Sequence, residues 1–105
     1  MINSLSNEIG SRKPLARNCI YEFLKRLREG WVINKAGHLY KEFRFDNFID
    51  AMTFANQIAD MAEKEAHHPN LTITWGLCIV EIWTHDVGGL TENDFILAAK
   101  IGILK

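Results

Sequence analysis

Pro69 sets a hard stop in this chain, and two adjacent histidines, His67 and His68, stand directly before it. Proline has no N–H to carry a helix onward, and it drives the residue before it out of the α region. Upstream, Phe48, Met52, Ala55, Ile58, Ala59 and Ala62 recur at helical spacing, so a long amphipathic helix runs toward the stop and must end there. This reading puts His67 on the last helical turn and His68 on the exit. Neighbouring side chains in mid-helix diverge by about 100°, whereas a pair at a helix end can converge on one space beyond it.

The remaining segments build a body around that helix. Pro14 suits a first helical position, after which Ile20, Phe23, Leu24 and Leu27 share one face, and Gly30 suits the C′ closure. Residues 31–33 read as a strand, 34–37 as a turn and 38–45 as a second strand with Leu39, Phe43 and Phe45 on one side. Asp46 or Asn47 is expected to cap the long helix. Beyond Pro69, residues 71–75 alternate as a short strand, Gly76 marks a bend, and 77–84 form a longer strand. Gly88-Gly89 makes a turn, Thr91 reads as an N-cap with Asp94 completing a capping box, and Phe95, Ala98, Ala99 and Ile101 mark a last helix. The order is α-β-β-α-β-β-α, an α+β fold with a four-stranded antiparallel sheet and its helices packed on one face. Residues 1–12 are expected to be a loosely ordered lead-in, and 13–105 a single domain.

Composition narrows the function classes. With 105 residues, 48% of them apolar, one core is affordable. Twelve basic against thirteen acidic residues give a net charge of −1, which speaks against direct nucleic-acid binding. Cys19 and Cys78 stand far apart and outside any C-x-x-C, which argues against a disulfide framework and for a reducing compartment. No apolar run approaches ~20 residues, and the first residues lack a signal peptide's order of charge and hydrophobicity. The expectation is a cytoplasmic protein without a membrane segment.

His67, His68, His85 and Asp94 are the polar residues whose placement suggests chemistry. Imidazole titrates near ~6.5, so a set of histidines can give and take protons at neutral pH. A metal centre is the chemical rival, since Glu63 and His67 are one helical turn apart and His85 would supply a third ligand. The absence of a His-Glu-x-x-His pattern argues against it. Hydrolysis by a serine nucleophile is poorer still, because Ser4, Ser6 and Ser11 all lie in the lead-in.

Glu63, His67-His68-Pro69, Trp75, His85 and Asp94 together occupy seven positions at fixed spacing over 32 residues. That constellation, with Phe43-x-Phe45 before it and Thr84-His85-Asp86-x-Gly88-Gly89-Leu90-Thr91 within it, resembles the signature of the pterin-4a-carbinolamine dehydratases. The resemblance extends from about Trp31 to Ile101. It implies dehydration of a 4a-hydroxytetrahydropterin to the quinonoid dihydropterin, in recycling of the pterin used by aromatic amino acid hydroxylases. It further implies catalysis without metal or other cofactor by homodimers or homotetramers. By motif position, His67, His68 and His85 are the implied active-site imidazoles, and Glu63, Trp75 and Asp94 the implied substrate-binding residues, with Glu63 placed to orient His67. His38 lies outside the motif and is expected to be dispensable. Relatives of this kind also serve as dimerisation partners of transcription regulators or lie near molybdopterin metabolism, which gives the alternative reading.

Both alternating sets of the last strand are apolar. Cys78, Val80 and Ile82 suit the helix-covered core, which leaves Leu77, Ile79 and Trp83 on the outer face with nothing in the chain to cover them. A homo-oligomer is therefore expected, with residues 1–13 folding back as the alternative cover.

Overall fold

The computed structural model describes residues 12–105. The elements are α1 (Arg17–Lys25), β1 (Val32–Ile33), β2 (Leu39–Arg44), α2 (Phe48–Glu65), β3 (Asn70–Thr74), β4 (Leu77–Ile82) and α3 (Glu92–Leu104), with a 3-10 turn at His85–Val87 before the last helix. The four strands form one antiparallel sheet in the order β1-β2-β4-β3. The expected α-β-β-α-β-β-α order and one-sided helix layer are those of the molecule.

Central β4 decides which face is the core. Cys78, Val80 and Ile82 are fully buried, and they pair across to Phe43, Lys41 and Leu39 of β2 and, for the first two, to Ile73 and Leu71 of β3. Ala51, Phe54, Ala55, Ile58 and Ala62 line the buried face of α2, which lies over β3 and β4. Helix α3 is apolar nearly all round, with Phe95, Ile96, Leu97, Ala98 and Ala99 buried in succession. A helix of that kind must be enclosed on several sides. It packs against α2 and β2, and Phe23 of α1 stacks on Phe95 with ring centroids 5.4 Å apart. Burial pushes the Cys78 thiol up to about 11, so it stays protonated and inert within the core.

Several boundaries differ from those the sequence predicts. Helix α1 begins at Arg17, so Pro14 precedes it; the Leu15 N–H donates to Leu90 O, which commits that stretch to an extended path along the start of α3. Gly30, at φ 100°, lies well beyond the end of α1 at Lys25 and relieves a later turn. Strand β4 stops at Ile82 because Thr84 leaves the ladder to bridge Gly89. At the other end of β4 the Trp75-Gly76 turn requires glycine: φ is 69°, and a Cβ would sit 2.8 Å from Phe45 O. The expected lead-in falls, for residues 1–11, outside the described residues, and so does its proposed role as a cover. Among the described residues no helix is long and apolar enough to cross a membrane.

The end of α2 is the correction that matters most for function. Asn47 caps its start, accepting from the Asp50 N–H at 2.8 Å. Its last helical residue is Glu65, and Ala66 closes it in the left-handed conformation at φ 54°. The His67 N–H then reaches back to Ala62 O at 3.2 Å, the long closing bond of a Schellman motif. His67 therefore lies just outside the helix, and the chain has turned before Pro69 is reached. A non-glycine residue pays roughly 1–2 kcal/mol for this conformation. Ala66→Gly is accordingly expected to raise the unfolding free energy by about 1 kcal/mol, seen as a higher urea midpoint at unchanged slope; a lower midpoint would remove the strain argument.

Candidate active site

Asp94 is fully buried at the first turn of α3, and both of its carboxyl oxygens have hydrogen-bond partners. One oxygen accepts the Thr91 N–H and the Thr84 hydroxyl, each at 2.8 Å; the other meets His67 Nε2 at 2.5 Å. The Thr91 hydroxyl in turn lies 2.8 Å from that of Thr84 and closes the capping box around the Asp94 N–H. Local helix chemistry thus puts a carboxylate at this position, and the fold brings His67 to its free oxygen. With Asp94 ionised, that second oxygen is an acceptor too, and His67 would then present Nε2–H to it and keep Nδ1 as an acceptor. The His67 side chain is 13% exposed, enough for one ring edge to reach solvent.

His67 lines a cleft of about 370 Å³ together with Arg12, His68, Pro69, Thr84 and His85. A second hollow of about 230 Å³ shares Arg12, Ala66 and His67 with it and is otherwise lined by Glu65, Asn93, Ile96 and Leu97. The walls are fixed from several directions. Lys100 of α3 holds Glu65 at the end of α2 at 2.7 Å. Thr84, on the core-facing parity of β4, ties the strand's continuation to Asp94. His85 follows in the 3-10 turn, and Gly88 at φ 68° ends that turn. Arg12 pairs with both carboxylate oxygens of Asp86 across the mouth of the cleft, an exposed ion pair that contributes little to stability.

His67, His68 and His85 are brought to one cleft, as the spacing predicts. The partners differ. Glu63 bonds His68 Nε2 at 2.5 Å and not His67, because the left-handed Ala66 swings His67 toward α3 and leaves His68 to fold back over the helix. Both members of that pair are largely exposed. Asp94, read from the sequence as a substrate contact, is fully buried, and its carboxyl meets Thr84, Thr91 and His67. Trp75 is not at this cleft within one chain. It is 73% exposed in the β3–β4 turn, and β3 spans Asn70–Thr74 between it and the cleft, about 17 Å at strand rise.

Sequence reasoning overlooked Arg12, Thr84 and Thr91's hydroxyl contact. Thr84 had a readable signal, since a hydroxyl on the same parity as Val80 and Ile82 points into the core and needs a partner. Arg12 had none, lying outside every periodic segment. Among the described residues no group of three histidines, cysteines or carboxylates stands close enough to hold a metal ion.

A sequence model described as Pterin 4 alpha carbinolamine dehydratase matches residues 13–104. A protein of Rickettsia canadensis is 58% identical over 92 residues, covering 88% of this chain and 84% of its own length. One from Rickettsia bellii is 54% identical over 96 residues, covering 91% and 85%. Both carry the name pterin-4-alpha-carbinolamine dehydratase as a provisional designation. Among solved structures, the transcriptional coactivator/pterin dehydratase from Brucella melitensis superposes with a TM-score of 0.81 at 30% identity, over 88% of this chain and 98% of that one. A pterin dehydratase-like protein identified as a RuBisCO assembly factor in the alpha-carboxysome shares the fold, at a TM-score of 0.61 and 22% identity over 73% and 90% of the two chains.

Removal of the buried carboxylate should register in stability. Asp94→Ala leaves the Thr91 N–H and the Thr84 hydroxyl without an acceptor and is expected to cost about 1–3 kcal/mol. Asp94→Asn keeps a carbonyl oxygen for those two donors and is expected to cost less. Urea unfolding of both variants checks the order, and equal losses would mean that the two threonine contacts carry no energy.

Proposed function

The chain belongs to the pterin 4 alpha carbinolamine dehydratase family, and from that premise we propose that its histidine cleft dehydrates a 4a-hydroxytetrahydropterin. The reaction breaks the C4a–O bond, releases water and leaves the quinonoid dihydropterin. A proton must be given to the departing hydroxyl, and one must leave the adjacent N5 as its lone pair forms the new C=N bond. General acid and general base each contribute about 10²–10⁴-fold in such steps.

The observation that carries this reading is the Asp94–His67 pair. With Nε2–H committed to Asp94, His67 offers Nδ1 as the base for the N5 proton, and the buried carboxylate stabilises the imidazolium that results. His85, in the same cleft, is the acid for the leaving hydroxyl, and His68, held by Glu63, borders the pterin. Exchange with solvent through the open cleft resets both rings. Tetrahydrobiopterin recycling, as a 4a-hydroxytetrahydrobiopterin dehydratase in the cytoplasm, is the physiological setting this chemistry fits best. The Brucella relative is described as both transcriptional coactivator and pterin dehydratase, which supports a second role as a dimerisation module; such a role has no chemical need for the histidines.

Assembly belongs to the same proposal. Leu77 and Ile79 stay half-buried on the outer sheet face, ringed by Tyr40, Glu42 and Arg44 of β2 and by Asn70, Thr72 and Thr74 of β3. We propose that a second copy covers this face or the β3 edge beside it. Ile79→Glu is expected to shift sedimentation toward a smaller species, whereas a wild-type monomer at micromolar concentration would rule assembly out.

Stopped-flow dehydration of freshly prepared 4a-hydroxytetrahydropterin is the direct assay, because spontaneous water loss competes. His67→Ala and His85→Ala should each lose roughly 10²–10⁴-fold, and the double variant little more, since groups acting in one step are strongly non-additive. Turnover should survive chelator treatment. Near-wild-type rates in both single variants would refute the proton-transfer roles.

A further inference from the structure

His85 is exposed and sits in a three-residue turn, a placement that by itself leaves a side chain free to change rotamer. Its ring is nonetheless stacked. The Trp83 indole lies parallel to it, with centroids 4.2 Å apart and planes within 11°. The other face of the same indole is covered by His38, at 3.9 Å and 5°. Residues 83 and 85 would be about 7 Å apart in a continuing strand. Departure from the ladder at Thr84 is what lets the rings close.

The stack is anchored at its far end. His38 Nδ1 meets Glu81 Oε2 at 2.6 Å, and Asn34 Nδ2 donates to the same oxygen at 2.9 Å. Asn34 Oδ1 accepts the N–H groups of Ala36 and His38, both at 3.0 Å, so the β1–β2 turn itself fixes that side-chain amide. Glu81 is on central β4, and its carboxyl is held below the usual carboxylate range, first by the bond from His38 and then by that from Asn34. His38 and Glu81 side chains are only 15% and 27% exposed.

We propose that Trp83 and His38 are positioning residues for His85, clamping its ring against the cleft through a three-ring stack anchored on Glu81 and Asn34. This rests on the reading that His85 takes part in the dehydration. It revises the expectation that His38 is dispensable, and it gives Trp83 a role other than a bare interface patch. An indole face attracts a cation, so the clamp holds the His85 ring in both of its protonation forms. A ring that must deliver a proton to one oxygen gains from this directly, since small misplacements at a reacting centre are expensive.

The test replaces the ring that touches nothing in the cleft. The chain has four histidines, so the His85 ring protons can be assigned by comparison with His85→Ala. In the wild type they are expected upfield, in the indole ring current. His38→Leu should return them toward the position of free imidazole and lower kcat by about tenfold to a hundredfold, with KM little changed. His38→Gln keeps a polar group for Glu81 but no ring, and gives the same reading should His38→Leu fail to fold. Trp83→Phe retains an aromatic face and should keep most of the turnover. Unchanged His85 shifts in both His38 variants overturn the proposal, as do altered shifts at wild-type kcat. Should the wild type not accelerate dehydration at all, the functional reading fails separately. The ring shifts then decide the clamp alone: following His38 they sustain it, and ignoring His38 they overturn it.

Discussion

A single buried carboxylate organises this molecule. Asp94 ends up without solvent exposure, a position that an ionised group occupies only when it is paired and hydrogen-bonded. Its donors come from three places in the chain: the Thr91 backbone within its own helix turn, the Thr84 hydroxyl beyond the central strand, and the His67 ring after α2. Each is where it is because of local chemistry elsewhere. The capping box starts α3, the Gly89 bridge holds Thr84, and the left-handed Ala66 turns His67 out of its helix. The hub therefore couples α2, the end of β4 and α3 at the point where the cleft opens.

The two sides of the cleft are built on different principles. His67 is held by charge and hydrogen bonding in a nearly closed site, where a carboxylate interaction is strengthened by the low dielectric. His85 is held by flat aromatic faces at the sheet's outer rim, with its anchor in the β1–β2 turn. The difference matches the proposed division of labour. A base benefits from a fixed counter-charge behind it, whereas an acid needs orientation and access to solvent for its next proton.

The periodic features were the legible ones. Ala55, Ile58 and Ala62 mark the buried stripe of α2, although Phe48 and Ala59, read on the same stripe, are exposed and Ala51 and Phe54 are buried in their stead; the Thr91–Asp94 spacing names the capping box, because it depends on neighbours in sequence. The alternation of Cys78, Val80 and Ile82 gave the core face for the same reason. What could not be read were the non-local pairings. Glu63 stands one turn before His67 and was expected to orient it, but Ala66 is an alanine in a conformation that sequence assigns to glycine, and it redirects both histidines. Asp94 read as a cap or as a substrate contact; only the fold makes it the partner of His67. Trp83 read as an outer-face patch because alternation says which side a residue faces and not what lies beside it. Trp75 sits at the far turn of the β3–β4 hairpin, so its place in the motif is not a place in this chain's cleft.

The central claim is that Asp94 fixes the His67 ring with its proton on Nε2 and its lone pair on Nδ1. Long-range ¹H–¹⁵N correlation of the imidazole nitrogens, recorded above the titration range of the ring, reads the tautomer directly. The account predicts a neutral His67 with a pyrrole-type Nε2, whose bound proton is shifted far downfield by the carboxylate, and a pyridine-type Nδ1. A His67 carrying its proton on Nδ1, or exchanging between the two forms as a free imidazole does, would contradict it.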